Sequence, residues 1–197
     1  MIYYKEVCGT FTKLRSVTSE DAEFILSLRT NSELSRFLNK TENDLPLQQE
    51  WIRNQQTRAG DYYFVICKDN NQPVGLVGLY NINDDCSAGE MGRFICAATP
   101  VQYWEAIILL HDFGLDVLGL SKILYRELSE NVKVRATTRR FGSEFVGYGH
   151  AVDEGTEYAE YQVSRSNYSE IREKSMKRLL EFSNKCTARN RGGSHGN

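Results

Sequence analysis

The chain has 197 residues, a formal net charge of −2, and 41% hydrophobic against 25% charged residues, the balance of one globular domain with or without a tail. The near-neutral charge and a pI near 6.0 give no electrostatic reason to expect nucleic acid or an anionic membrane as a partner. No window approaches the roughly 18 apolar residues of a membrane span, and the first residues lack the form of a signal peptide, so the expected location is the cytoplasm.

Residues 11–17 alternate apolar and polar side chains as a half-buried strand does. Ser19 then caps a helix with Ala22, Phe24, Ile25 and Leu28 on one stripe, and Glu20 and Asp21 suit the dipole in its first turn. Leu34, Phe37 and Leu38 predict a short helical turn. After a polar loop, Pro46 opens a second helix to about Arg58 that carries Leu47, Trp51 and Ile52.

Residues 61–69 contain an aromatic and β-branched run, Tyr62-Tyr63-Phe64-Val65-Ile66-Cys67, that ends in the turn Asp69-Asn70-Asn71-Gln72-Pro73. Its hairpin partner spans 74–82, where Gly75 and Gly78 permit bulges or close backbone approach. A third strand covers 90–97. A helix follows at once, with Thr99 as N-cap, Pro100 in the first position and Gln102 completing a capping box. Trp104, Ile107, Ile108, His111, Leu115 and Leu118 recur along it and its flanks are also apolar, so it is buried as far as Leu118. A strand running straight into a buried helix presents free N–H groups and the positive dipole end, a place for a pyrophosphate.

Gly119 ends that helix, and residues 121–128 form a strand reached by a crossover and therefore parallel to the strand at Glu90. Residues 130–141 form a basic helix with Arg135, Arg139 and Arg140, closed by Gly142. Strands at 144–152 and 158–164 complete the sheet, and a helix at 169–184 precedes a tail, 185–197, with the composition of a disordered segment. The five cysteines, Cys8, Cys67, Cys86, Cys96 and Cys186, are odd in number and lack metal-ligand spacing. They predict no disulfide framework, no metal site, and mostly buried thiols.

This order of elements resembles the GNAT superfamily of acyl-coenzyme-A-dependent N-acyltransferases. The residues that carry the resemblance are Leu14-Arg15 with Asp21, Leu28-Arg29, Gln49-Glu50-Trp51-Ile52, Pro73-Val74-Gly75, Gly89-Glu90-Met91-Gly92-Arg93, Glu105-Ala106, Leu118-Gly119-Leu120, Glu130-Asn131 and Phe141-Gly142-Ser143-Glu144-Phe145-Val146-Gly147. As an ordered set they look like the branch of ribosomal-protein and amino-sugar N-acetyltransferases. The resemblance implies an α+β fold with a mixed, mostly antiparallel central sheet flanked by helices. The acyltransferase domain would then occupy residues 1–168, ahead of the C-terminal helix.

The resemblance also implies acetyl-coenzyme A as co-substrate, and it gives roles to particular residues. Glu90 would be the base that takes the amine proton. The backbone of Phe94, Ile95, Cys96 and Ala97 would orient the cofactor arm and polarise the thioester. Thr99, Val101 and Gln102 would lie at the pyrophosphate, and Asn131 would contact the arm. Members of the family usually carry Gln/Arg-x-x-Gly-x-Gly/Ala at the helix start, where this chain has Cys96, Thr99 and Val101, so its cradle is stiffer and Pro100 removes one amide. The tyrosine that commonly serves as acid falls at Thr138.

Tyr103, His111 and His150 are the nearest substitutes for that acid, although His111 falls on the apolar stripe of a core histidine. Cys96 as a nucleophile lacks a visible base. Arg135, Arg139 and Arg140 read either as a phosphate site or as a solvated face. The expected function is acetyl transfer to a primary amine, first that of a nucleotide-linked amino sugar, with a protein N-terminus as alternative acceptor. A non-catalytic binding module of the same fold is the rival. Nucleic acid and membrane are not expected partners, and a homodimer is compatible with the resemblance.

Overall fold

A computed structural model describes residues 1–150 and 156–192, with side chains to Asn184. Eight strands, β1 (Val7–Cys8), β2 (Thr12–Ser16), β3 (Tyr62–Lys68), β4 (Pro73–Tyr80), β5 (Ala88–Cys96), β6 (Lys122–Leu128), β7 (Glu144–His150) and β8 (Glu157–Ser164), form one sheet in the order β1-β2-β3-β4-β5-β6-β8-β7. Every neighbouring pair is antiparallel except β5 and β6. The mixed, mostly antiparallel sheet expected from the sequence is therefore the observed one. Five helices cover it: α1 (Ala22–Arg29), α2 (Leu45–Thr57), α3 (Pro100–His111), α4 (Val132–Phe141) and α5 (Arg165–Gly192).

The sheet separates two cores. On one face Ile25, Leu28 and Ile52 of α1 and α2 pack on Val65, Leu76 and Ile95. On the other, Ile107, Ile108 and Leu110 of α3 pack on Val77, Leu79, Ile123 and Tyr161. The α3 helix is apolar on all sides because α5 covers its outer face, where Trp104 Nε1 donates to the Ser175 carbonyl at 3.1 Å. Phe113 is fully buried and meets Tyr3, Tyr62 and Phe64 edge-on at 4.9, 5.1 and 5.0 Å. Burial of such a ring contributes about 1.5–3 kcal/mol, and each ring pair about 0.5–1.5 kcal/mol more.

Several motif residues hold the scaffold together. Arg15 makes two hydrogen bonds to Asp21, 2.8 and 2.7 Å. Buried Glu105 accepts from the N–H groups of Thr10 and Phe11 at 2.7 Å each, which ties the turn between β1 and β2 to α3. Gly75 permits the close approach of β4 and β5, since a Cβ there would stand 2.6 Å from the Ile95 carbonyl oxygen.

The structure departs from the sequence reading in five places. Thr18, not Ser19, caps the first helix, and its N–H donates to Asp21 at 2.8 Å. Residues 31–38 make turns around Asn31, whose side chain accepts from Glu33 and Leu34, so no helix stands there. The helix after α3 widens over Asp112–Val117, where Leu118 N–H reaches back five residues to Phe113. The last helix starts at Arg165 and continues past Asn184 to Gly192, because no glycine or proline interrupts it before that point.

Cysteines are the fifth departure: of the four whose side chains are described, Cys8 and Cys86 are exposed, Cys96 is half-buried and only Cys67 is buried. The Cys186 side chain, the expected strand end at Val152 and residues 193–197 of the expected tail lie outside the described residues. Among the described residues no helix is long and apolar enough to cross a membrane, and no group of three or more His, Cys, Asp or Glu side chains could hold a metal ion.

Candidate active site

The site begins where two strands part. β5 and β6 pair through Ala88–Lys122, Gly89–Ile123 and Glu90–Leu124 and no further, whereas β6 keeps its register with β8 as far as Leu128. It is β5 that leaves. The cause is a bulge against β4: Gly78 faces Gly92 and Leu76 faces Ile95, so Val77 opposes both Arg93 and Phe94. Arg93 takes the extra position with φ 52°, a left-handed conformation that an arginine adopts at a cost of about 1–3 kcal/mol.

Beyond Glu90 the inner edge of β5 has no partner strand among the described residues, and a cleft of about 1630 Å³ opens there. A single small ligand usually occupies about 300–1,000 Å³, so this cleft has room for two such molecules.

The bulge also sets which side chains face which side. Gly92 and Arg93 both point to the α2 side. A Cβ on Gly92 would lie 2.1 Å from the Tyr80 hydroxyl, so glycine is what lets Tyr80 lie flat along β5. From there Tyr80 donates to Glu90 Oε1 at 3.2 Å, Asn81 donates to Oε2 at 3.1 Å, and Arg126 stands 3.5 Å from Oε2. Burial, then the Glu90 charge, raises Tyr80 above its ordinary value. Glu90 is thus a carboxylate held by three donors at the lip of the cleft, rather than a solvated group beside a turn.

Behind Glu90, the Arg93 guanidinium lies 4.2 Å from the centre of the Tyr80 ring, 5.4 Å from Trp51 and 5.7 Å from Tyr63. It makes two bonds to Asp61.

Across the sheet the cleft wall comes from α3, α4 and β6. Tyr103 stacks on Phe94 at 4.6 Å. Burial pushes the Tyr103 hydroxyl up to about 12, with Cys96 and Glu127 adding to the rise and Thr137 opposing it. On β6 the alternation that buries Ile123 and Tyr125 also buries Glu127, which is only 9% exposed. Thr138 donates to Glu127 Oε1, while Oε2 is buried with no hydrogen-bond partner among the described residues. Burial pushes this carboxyl up to about 7, with the Thr138 bond and then the charges of Arg135 and Arg139 pulling it back. Sequence reasoning missed Glu127, yet the signal was there: a carboxylate at the apolar parity of a strand.

Deeper still, His111 Nδ1 lies 2.7 Å from the Ile107 carbonyl, which only accepts. Nδ1 therefore carries the hydrogen, and Nε2 accepts from the Tyr125 hydroxyl at 2.5 Å. Burial lowers His111 to about 4. It is a core histidine, as its place on the apolar stripe suggests.

Of the residues singled out in the sequence, Glu90, Phe94 and Asn131 line the cleft, with Tyr103 and His150. Asn131 also caps α4. Ile95 turns its side chain into the core under α1 and α2. Ala97 N–H is bonded to the Val74 carbonyl at 2.8 Å, so that donor is already engaged. Burial pushes the Cys96 thiol up to about 12, the opposite of what a nucleophile needs.

At the start of α3 the expected capping box is present: Thr99 N–H donates to Gln102 Oε1 at 3.1 Å. Val101 is buried. Arg135 and Arg139 pack on aromatic residues of the sheet, and neither lines the cleft. Arg135 bonds the hydroxyls of Tyr161 and Tyr148, and Arg139 covers the Tyr161 ring.

A sheet opened at its one parallel pair, with a buried helix starting just past the opening, defines the fold of acyl-coenzyme-A-dependent acyltransferases. The acetyltransferase (GNAT) domain family matches residues 12–144, and the chain belongs to that family. No curated protein sequence matches it. Among solved structures it is similar to apo FdhC, a nucleotide-linked sugar GNAT, with 26% identity over 93% of this chain and 98% of that one at TM-score 0.72. It is also similar to a GCN5-related N-acetyltransferase from Brucella melitensis, with 16% identity, coverage of 90% and 86%, and TM-score 0.77. A third likeness is to spermidine N-acetyltransferase SpeG from Vibrio cholerae, with 20% identity, coverage of 80% and 95%, and TM-score 0.66. These last two speak to fold alone.

Proposed function

We propose that the chain transfers the acetyl group of acetyl-coenzyme A to the primary amine of a nucleotide-linked amino sugar. The observation that carries the acceptor class is the charge of the cleft mouth. Arg29, Arg36, Lys40 and Arg58 line it against Glu33 and Glu42. Arg29 braces the loop by bonding Thr41 and the Asn39 carbonyl. Arg36, Lys40 and Arg58 have no ion-pair partner among the described residues. Arginines suit a diphosphate, and the Phe37 and Trp51 rings under Arg36 and Arg58 suit a base. A polyamine would meet like charge there. The likeness to FdhC supports the same reading.

The co-substrate supplies an acyl group activated as a thioester. The unpaired inner edge of β5 fits its amide-bearing arm, which can bond to that edge as a strand would. The start of α3 fits the pyrophosphate less generously. Pro100 brings no amide, and Gln102 already holds the Thr99 N–H, which leaves the Val101 N–H and the helix dipole. Glu90, at the lip facing the acceptor side, takes the amine proton as general base, with Tyr80, Asn81 and Arg126 fixing its orientation.

Calorimetric titration with acetyl-coenzyme A and with free coenzyme A tests the reading directly. Micromolar, saturable binding is expected, followed by turnover of an amino-sugar nucleotide in preference to N-terminal peptides or spermidine. Glu90→Gln is expected to lower kcat by about 10²-fold or more, and full activity would remove the base. The self-capped start of α3 favours the non-catalytic module as second reading, and absence of binding at millimolar ligand would select it.

A further inference from the structure

Acyl transfer from a thioester needs a second proton transfer, to the departing sulfur, and the cleft has a group placed for it. Glu90 and Arg126 meet on one face of the sheet. Glu127, the next residue along β6, points by strand alternation to the other face, where Thr138 of α4 holds it. Glu90 closes the last β5–β6 pair, and both carboxylates line the cleft that opens beyond it. The gap therefore has a carboxyl group on each side, one toward the acceptor mouth and one toward the helices.

We propose that Glu127 is the general acid of the reaction: it holds a proton on Oε2 and delivers it to the thiolate sulfur as the C–S bond breaks. The role rests on the acyl-transfer reading above. The balance closes without another reactant. The amine nitrogen bonds to the acyl carbon and gives its proton to Glu90, the acyl carbon releases sulfur, and sulfur takes the proton from Glu127. Water returns both carboxyls to their starting states.

Three features equip Glu127 for this. Among the described residues its buried Oε2 has no partner, which suits the protonated form and penalises the ion. The charged and titratable groups around it are Arg135 and Arg139 from α4, Tyr103 from α3 and Tyr125 on its own strand. Both arginines are drawn off toward Tyr161, and among the described residues no cation pairs with the carboxylate. An acid that titrates near neutrality is protonated often enough to act and is stronger than an ordinary thiol near 8.5, so transfer to sulfur runs downhill.

The decisive variant is Glu127→Gln, which keeps shape and the Thr138 contact. Carbon-13 NMR of glutamate-labelled protein, read without substrate, is expected to show one carboxyl titrating near pH 7 that vanishes in E127Q. With acetyl-coenzyme A, kcat should fall by about 10²–10⁴-fold with KM nearly unchanged, and the decline of kcat above neutral pH should disappear. With an aryl thioester of acetate, whose thiolate leaves unprotonated, the loss should shrink to less than about tenfold. Thr138→Val removes the bond that favours the ion, so the basic limb should move upward.

E127Q that keeps the wild-type kcat and its basic limb overturns the role, and transfer of that limb's loss to Tyr103→Phe would give it to Tyr103. Absence of turnover with any donor and amine removes the acyl-transfer reading itself. The NMR titration still reports whether Glu127 carries the proton.

Discussion

Arg93 and Asp61 are joined by two hydrogen bonds, 2.6 and 3.0 Å, between the bulge of β5 and the start of β3. Both side chains are mostly buried, at 21% and 8% exposure. Asp61 also accepts from Gln55 at 3.0 Å, so one carboxylate ties α2, β3 and β5 together behind Glu90. Asp61→Asn leaves the guanidinium among three rings without its counter-charge, the costly way to break a buried pair. Urea unfolding is expected to show a loss of about 3 kcal/mol. A loss below about 1 kcal/mol would mean that the aromatic box alone holds Arg93.

Gly92 and Tyr80 are coupled just as directly. Gly92→Ala sets a methyl group against the Tyr80 hydroxyl and ring, so Tyr80 must leave its place over Glu90 or the bulge must shift, at about 1–3 kcal/mol. Tyr80→Phe in the same chain removes the nearest atom. A double-mutant cycle on thermal stability should therefore give a favourable coupling of about 0.5 kcal/mol or more. Simple additivity would show that the ring is free to move aside.

What could be read from the sequence followed the strength of local signals. The box of Thr99, Pro100 and Gln102 at the start of α3 was legible because capping is decided within four residues. The β5–β6 pair was legible because a strand, helix, strand connection has one handed solution. The widened turn after His111 was not, since Asp112–Val117 has the same apolar period as a regular helix.

The bulge at Arg93 was also hidden. Its sequence alternates well enough for a plain strand, and a left-handed arginine is imposed by Asp61 and three rings that lie far away in the chain. Glu90 could be found as a residue but not as a held carboxylate, because Tyr80, Asn81 and Arg126 come from two other stretches. Glu127 was overlooked for the opposite reason. Its parity marks it as buried, but that it faces a cleft follows only from the departure of β5 beyond Glu90.

The charge of the mouth has a measurable consequence. Arg36 and Arg58 each lie over a ring and are free of carboxylates among the described residues, so they are available to a diphosphate. In Arg36→Ala with Arg58→Ala, affinity for uridine diphosphate measured by calorimetry is expected to fall by about tenfold, equivalent to about 1.4 kcal/mol. The wild type should lose affinity with rising salt more steeply than the double variant does. Equal affinities and equal salt slopes would move the acceptor elsewhere in the cleft.

Glu127 and His111 tilt stability against pH in opposite directions. Burial raises Glu127 from 4.5 to about 7, so the folded chain binds that proton more tightly than the unfolded one. The stability this group contributes is full below pH 4.5 and is lost as pH rises to about 7. Burial lowers His111 from 6.5 to about 4, so its contribution is full above pH 6.5 and is lost as pH falls through about 4. Each displacement is equivalent to about 3 kcal/mol, and between pH 4.5 and 6.5 the two slopes conceal each other.

Glu127→Gln removes one slope and exposes the other. The unfolding free energy of E127Q relative to wild type, from urea curves in matched buffers, is expected to rise by about 3 kcal/mol from pH 4.5 to 7.5. Other groups, including Asp21, whose bond to Arg15 helps hold it below its ordinary value, cancel in the subtraction. A flat difference would mean that Glu127 ionises as an exposed carboxylate does, and the proton assigned to Oε2 at neutral pH would have to be withdrawn.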